Sequence, residues 1–345
     1  IRSILLLADA GAEQALGRYD DQRRRSAAVS VLVVPAGLGT GGALKQAASR
    51  LDSRFCLLTK EAFFGINLLD LAVAATNSSA IVQVALKRER AEDAGGDVLL
   101  DRNAVMRLGS QGGLFKTGIY CVDRGILDFI DKAPCSLERD IFPRLIEGGR
   151  LGVSCYDGLF VDIGSSADVE RVRRELAELV RRPAVFFDRD GVLNVDRAYV
   201  HRIEDFEWIA GAQEAIKLCN DRGYFTFVVT NQSGVARGYY GVDAVHRLHD
   251  WMNGELAEVG AHIDEFQYCP YHEDGVVEQW RRASDRRKPA PGMIFDCFAR
   301  WPIRKEASFL IGDRADDLRA AAAAGIAGHL FEGGDLAAFI RPLLR

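Results

Sequence analysis

The chain has 345 residues, enough for two domains that each bury a core, with an ordinary globular composition of 48% hydrophobic and 27% charged residues. Its formal net charge of −5 offers no general attraction to nucleic acid or an anionic membrane, and no apolar run reaches membrane-spanning length. Seven cysteines are scattered without a CxxC pair, which fits free thiols in a reducing compartment and makes the cytoplasm the expected location.

In chain order, residues 4–7 and 29–34 read as strands with a helical stretch at 12–16 between them. The segment Pro35-Ala36-Gly37-Leu38-Gly39-Thr40-Gly41-Gly42-Ala43-Leu44 opens a helical stretch at 45–51. It reads either as a plain turn or as a loop whose backbone N–H groups approach a phosphate. Further strands are expected at 55–58, 81–86, 118–122 and 158–164, with a helix at 66–75 and a helix start capped by Ser136.

The order LGTGGAL, FCLL, INLLDL, TGIY, SLERDIFP and FVDIG, over residues 4–180, resembles the sugar-1-phosphate nucleotidyltransferases, particularly the guanylyl or mannose-type members. The resemblance implies a Rossmann-like sheet that joins a sugar phosphate to a nucleoside triphosphate with Mg²⁺, and a sugar nucleotide as a partner of this region. The chain departs from the family in three places. The family's first strand and GGxGTRL loop are not seen ahead of LGTGGAL. Lys60 and Glu61 stand where the family has a glycine and its metal aspartate, and Leu108-Gly109-Ser110-Gln111 stands where it has a Glu-Lys pair. Asp162 alone keeps a metal position. Transfer needs metal and donors clamped on developing phosphate charge. The expectation is therefore a truncated or degenerate domain over residues 1–180 that makes no nucleotide sugar and serves as scaffold, sugar-nucleotide sensor or oligomerisation surface.

A charged helix is expected at 168–181, with Glu170 four residues before Arg174 and Pro183 as its stop. Val185-Phe186-Phe187 then runs as a buried strand into Asp188-Arg189-Asp190-Gly191. Ligands of open α/β sheets bind at the carboxyl ends of strands, where Asp188 and Asp190 would point to one side and repel unless a cation offsets them. Mg²⁺, which favours oxygen ligands and phosphates, is the expected offset. A helix at 212–222, ended by Gly223, leads to a second buried strand at 224–229. That strand runs out into Thr230-Asn231, whose hydroxyl and amide suit a phosphoryl group. After an amphipathic helix at 242–259, Lys288 stands in the stiff segment Arg287-Lys288-Pro289. A strand at 308–312 ends on Asp313, placed to complete the metal site. Asp317 behind it is expected to orient neighbours or cap the helix at 318–324.

The motifs FFDRDGVLN, VVTNQSGVARG, RKPAPGM and FLIGDRADD, over residues 182–345, resemble the haloacid dehalogenase (HAD) superfamily. Within it they are similar to the D-glycero-D-manno-heptose 1,7-bisphosphate phosphatases and their histidinol-phosphate phosphatase relatives. The resemblance implies a second domain at 181–345 with little or no cap. Asp188 would attack phosphorus, and Asp190 would protonate the leaving sugar oxygen and then activate water. Mg²⁺ would sit on Asp188, the backbone carbonyl of Asp190 and Asp313. Thr230, Asn231 and Lys288 would hold the phosphoryl oxygens, with Arg287 and Arg237 on the sugar side. Many members carry a zinc loop, CxH…CxC, before RKP. Here only Cys269 matches; Tyr271, Ser284 and Arg286 fill the other positions and His272 is one residue late, so no zinc is expected.

The chain is thus expected to be α/β, in two domains, each a mainly parallel sheet flanked by helices. It is expected to be a Mg²⁺-dependent phosphatase of a small sugar phosphate, with neither nucleic acid nor membrane as partner and homo-oligomerisation left open. The 7-phosphate of heptose 1,7-bisphosphate ranks ahead of histidinol phosphate, because the resulting heptose 1-phosphate would be a nucleotidyltransferase substrate. A sugar-nucleotide-binding regulatory module is the alternative from outside enzymology.

Overall fold

Residues 3–9, 27–59, 62–88, 98–100, 106–108, 114–163 and 166–344 are described in the computed structural model of the chain. The stretch at 12–16, Lys60, Glu61, Gly109, Ser110 and Gln111 lie outside the described residues, as does the side chain of Asp162. The chain divides into two units: Ile1–Phe64 with Ala74–Phe160, and Gly65–Val73 with Val161–Arg345.

The strands up to the boundary are β1 (Ser3–Ala8), β2 (Ala28–Val33), β3 (Arg54–Leu58), β4 (Ala62–Phe64), β5 (Val82–Arg88), β6 (Val98–Leu100), β7 (Met106–Leu108), β8 (Leu114–Asp123), β9 (Leu151–Tyr156) and β10 (Phe160–Asp162). The helices are α1 (Gly39–Gln46), α2 (Leu68–Thr76) and α3 (Phe142–Glu147). The first unit's larger sheet has the order β7-β6-β8-β5-β9, with β3 also on β8. Strands β1 and β2 are parallel, as are β5 and β9, whereas β8 runs antiparallel to β3, β5 and β6. Alternate residues Val82, Val84 and Leu86 of β5 and Tyr120 and Val122 of β8 face one core, closed by Leu137, Ile141, Phe142 and Leu145. Ser136 caps the helical turn after it by accepting from the Arg139 N–H at 3.3 Å.

Helix α1 starts inside the glycine-rich segment, not after it. The N–H groups of Gly41 and Gly42 reach the Cys135 carbonyl at 2.9 and 3.4 Å, and the Thr40 hydroxyl accepts from the Leu137 N–H at 2.9 Å. Gly39 has φ of 71°, and a Cβ there would collide with the same carbonyl. The glycines admit a neighbouring segment, and this contact overrides their low helix propensity.

In the second unit α4 (Ser166–Leu179) precedes β11 (Ala184–Phe187), α5 (Ala212–Asp221), β12 (Phe225–Asn231), α6 (Val242–Glu258) and β13 (Glu265–Cys269). Then follow α7 (Gly292–Arg300), β14 (Phe309–Gly312), α8 (Ala315–Ala324), β15 (Ala327–Leu330) and α9 (Leu336–Ile340). The five strands are parallel throughout, in the order β13-β12-β11-β14-β15. Val185 and Phe187 of β11 enter one core, with Val228 and Leu248, while Ala184 and Phe186 enter the other, with Phe227 and Leu310. Both faces are covered, which is why β11 is apolar at every position. Chain order reverses between β11 and β14, and the crevice at such a reversal, beyond the carboxyl ends of the strands, is where open α/β sheets bind ligands.

Candidate active site

The residues that leave β11, β12 and β14 at this reversal are Asp188, Thr230-Asn231 and Asp313. Asp188 is buried, and its N–H holds the Ile311 carbonyl of β14 at 2.9 Å. Lys288, 4% exposed, places Nζ 2.8 Å from Asp188 Oδ1 and 2.6 Å from Asp317 Oδ1. Its backbone is fixed by a reciprocal pair: Asn231 Nδ2 donates to the Lys288 carbonyl at 3.0 Å, and the Lys288 N–H donates to Asn231 Oδ1 at 3.1 Å. The Asn231 amide, expected on a phosphoryl oxygen, is therefore engaged in holding the lysine. Asp317 also accepts from the Arg314 N–H at 3.0 Å and caps α8.

Charge in this crevice is held under strain. Burial pushes the Asp188 carboxyl up to about 7; Lys288 opposes the shift, and Asp317 and Asp190 add to it. Burial alone would lower Lys288, but its two carboxylates outweigh that and hold the ammonium above its ordinary value. Burial also raises Asp313, against the pull of Arg314.

Asp188, Asp313 and Asp317 bring carboxylate oxygens within 4.8 Å of one another, the one such acidic group among the described residues. Asp313 Oδ1 is buried and faces no hydrogen-bond donor among them. An all-oxygen donor set with an orphaned buried oxygen fits a hard divalent cation. The fit extends to the backbone. Gly191 has φ of 87°, and a Cβ there would collide with the Asp313 carboxylate, while a Cβ on Gly312 would collide with the Asp317 side chain.

Asp190 is set apart from the acidic trio by its own donors. Arg189 Nη2 reaches it at 2.9 Å, Asn194 Nδ2 at 3.0 Å and Gln232 Nε2 at 2.9 Å. Gln232 also donates to Thr230 Oγ1 at 2.9 Å and accepts from the Tyr240 hydroxyl at 2.7 Å. Arg189, fully buried, donates again to the Val200 carbonyl at 2.6 Å. Val200 belongs to the wall of a cavity of about 380 Å³ with Arg197, Tyr199, His201 and Tyr239. Ala198 and Tyr199 in that wall have φ of 55° and 60°, which side chains seldom adopt and which cluster at binding sites. Sequence reasoning gave no role to Arg189, Asn194, Gln232 or Tyr240; an arginine between two acids just past a buried strand was the one available signal.

Arg237 and Arg287 both act on His272. Arg237 Nη2 lies 3.3 Å from its Nε2, and burial followed by the two guanidinium charges lowers its pKa. Arg237 Nε and Arg287 Nη1 are buried without a hydrogen-bond partner among the described residues. In the preceding loop the Tyr271 ring carries the Arg282 guanidinium at 4.1 Å and meets Trp280 at 5.4 Å. Arg286 is ion-paired with Asp296, and Cys269 Sγ donates to the Tyr271 carbonyl at 3.9 Å. No described helix is long and apolar enough to cross a membrane.

Comparison with known proteins matches residues 285–338 to the HAD-hydrolase-like family model. The D-glycero-beta-D-manno-heptose-1,7-bisphosphate 7-phosphatase of Rhodopseudomonas palustris is 48% identical over 168 residues, which are 49% of this chain and 93% of that protein. The solved D,D-heptose 1.7-bisphosphate phosphatase of B. bronchiseptica, complexed with magnesium and phosphate, is 31% identical with a TM-score of 0.41, over 46% of this chain and 86% of that one. HddC from Yersinia pseudotuberculosis is 17% identical with a TM-score of 0.44, over 51% of this chain and 79% of that one. Through its C-terminal half, therefore, the chain belongs to the D-glycero-beta-D-manno-heptose-1,7-bisphosphate 7-phosphatase family and is a HAD-type phosphoric monoester hydrolase.

Proposed function

We propose that the chain removes the 7-phosphate of D-glycero-D-manno-heptose 1,7-bisphosphate, the substrate named for its Rhodopseudomonas relative, through a phosphoryl group carried on Asp188. The observation that carries this reading is the meeting of Asp188, Lys288 and the unpartnered Asp313 oxygen at the β11–β14 reversal. An Asp188 oxygen forms the new bond to phosphorus as the bond to the sugar oxygen breaks. Asp190, aligned by Arg189, Asn194 and Gln232, gives its proton to that oxygen and later takes one from the water that releases phosphate. Lys288, anchored on Asp317, offsets charge on the nucleophile and on the phosphoryl oxygens without having to move. Thr230 supplies a hydroxyl beside them, and Asn231 acts as the residue that positions Lys288. Arg237 and Arg287, with guanidinium nitrogens left unpaired, suit the anionic far end of a bisphosphate.

Asp188, Asp313 and the Asp190 backbone carbonyl would hold Mg²⁺, which when bound neutralises the clustered carboxylates and the phosphate charge. The magnesium and phosphate of the B. bronchiseptica complex accord with that reading. Phosphate release from a panel of sugar bisphosphates, sugar monophosphates and histidinol phosphate, with Mg²⁺ and with EDTA, tests it. The heptose bisphosphate should give the highest kcat/KM, and EDTA should abolish turnover. Equal turnover of histidinol phosphate would sink the substrate assignment, and full activity in EDTA the metal assignment.

A further inference from the structure

Two cysteines of the first unit, unrelated to the phosphatase site, face each other across an antiparallel pair. Cys56 of β3 stands directly opposite Cys121 of β8. Residues directly opposite on such strands project to the same face. The ladder fixes the type of pair. The Arg124 N–H donates to the Ser53 carbonyl at one end, and the Thr59 N–H to the Gly118 carbonyl at the other, both at 2.8–2.9 Å. Hydrogen-bonded pairs recur at every second residue, so counting inward from either end makes Cys56–Cys121 a pair of the other kind. There the Cα atoms approach to about 4.5 Å with side chains closer still. A disulfide spans Cα separations of about 4.4–6.8 Å, so the backbone can stay where it is.

The two thiols also differ in access. Cys56 is exposed and Cys121 is buried, so an outside reagent reaches Cys56 first. We propose that Cys56 and Cys121 form a reversible disulfide modification site that takes low-molecular-weight disulfides, of which oxidised glutathione is the representative. The Cys56 thiolate attacks one sulfur of the reagent, forming a mixed disulfide and releasing one equivalent of thiolate. Cys121 then loses its proton to solvent and attacks Cys56 Sγ, which expels the second equivalent and leaves the Cys56–Cys121 bond. The protein gives up two protons and two electrons, and the reagent's disulfide takes them as two thiols.

The contact itself prepares the first step. Interaction with the facing Cys121 thiol lowers the Cys56 thiol to about 7, against the desolvation of a sulfur held on the sheet. The same interaction, then burial, raises Cys121. A thiol with a pKa near ambient pH is the best placed to attack. Cys121, as the interior partner, resolves the adduct in place of a second molecule of reagent.

The test uses the full chain treated with excess oxidised glutathione, then quenched by alkylation in denaturant and mapped by mass spectrometry. The expected product is a Cys56–Cys121 cross-linked peptide, removed by dithiothreitol, with the other five cysteines alkylated. Cys56→Ser, at an exposed position, should abolish the cross-link and leave Cys121 unmodified. Cys121→Ser should trap glutathione on Cys56. Glutathione retained on Cys56 in the wild-type chain, or no modification of either residue, would overturn the proposal, whatever the outcome of the phosphatase assays.

Discussion

The first turn of α1 at 39–42 in the first unit and the turn at 188–191 after β11 in the second both carry glycine and polar groups, yet they dispose of those groups in opposite ways. In the first, the N–H groups of Gly41 and Gly42 and the Thr40 hydroxyl are all taken up by the segment around Cys135. In the second, Asp188 is buried beside two further carboxylates, and an oxygen of Asp313 finds no donor among the described residues. A loop that satisfies its own donors is a packing device, and a ligand adds little to it. A loop that keeps charge buried and unsatisfied is less stable than it could be, and a ligand of the right charge removes the deficit.

The largest test of that contrast is Asp188→Asn, which keeps the shape of the nucleophile and removes its charge. Phosphate release should fall at least about a thousandfold. Near-wild-type turnover would end the aspartyl-phosphate reading. Gly312→Ala comes next. A methyl there must displace Asp317, and with it the second anchor of Lys288. Steady-state kinetics should show kcat lowered by about ten- to a hundredfold, and denaturation a loss of about 1–3 kcal/mol. An unchanged kcat would mean that Lys288 needs no anchor on Asp317.

A smaller effect follows from the titration of Asp188 in metal-free protein. Its folded value of about 7 lies above the 3.8 of the free side chain. Below both values each state is protonated and the group contributes nothing. Between them the unfolded chain ionises first, so stability falls as pH rises, and above about 7 the loss is constant. In EDTA the second unit should therefore melt a few degrees lower at pH 8 than at pH 5, on the order of 4 °C. Asp188→Asn should flatten that slope and added Mg²⁺ should offset it. A slope identical in wild type and variant would assign it to other groups.

The smallest effect on activity is expected from the first unit. Gly39→Ala places a methyl against the Cys135 carbonyl at a positive φ and should destabilise that unit by about 1–3 kcal/mol. Phosphatase kcat and KM should stay unchanged at temperatures where both units are folded. A parallel loss of phosphatase activity there would show that the two regions are not independent.

How much of this was legible in the sequence depended on how local the cause was. Val185-Phe186-Phe187 and residues 224–229 announce buried strands by themselves; Asp188 and Asp313 stand out because each follows such a strand, and Lys288 because it sits in the stiff segment before Pro289. Strands β13 and β15 did not announce themselves. Glu265-Phe266-Gln267-Tyr268-Cys269 carries a glutamate that Arg300 and the Trp301 indole satisfy, and Ala327-Gly328-His329-Leu330 has little β propensity of its own. Both are set by the neighbouring strand. Of the holders of Asp190, Gln232 was hidden for the same reason, because it reaches the carboxylate only when a separate loop meets this one, whereas Arg189 and Asn194 lie in the same loop and take their role from the way it folds back. The helix at 39–46 begins in glycines because of Cys135, far along the chain.

The strand order carries one more consequence, for how the second unit comes to be folded. β11 and β14 are neighbours in the sheet, but β12, β13 and three helices lie between them in the chain. Asp188 is thus delivered early and Asp313 with Asp317 late, by the most non-local pairing in this sheet. Until β14 docks, the carboxylates remain apart in water and do not oppose one another. The docking step must then draw them together and dehydrate them at once, so electrostatic opposition falls on the closing event and not on nucleation. A chain of this topology should refold faster when the late-arriving acids are neutralised, and the same charges that serve the reaction should set the pace at which the sheet closes.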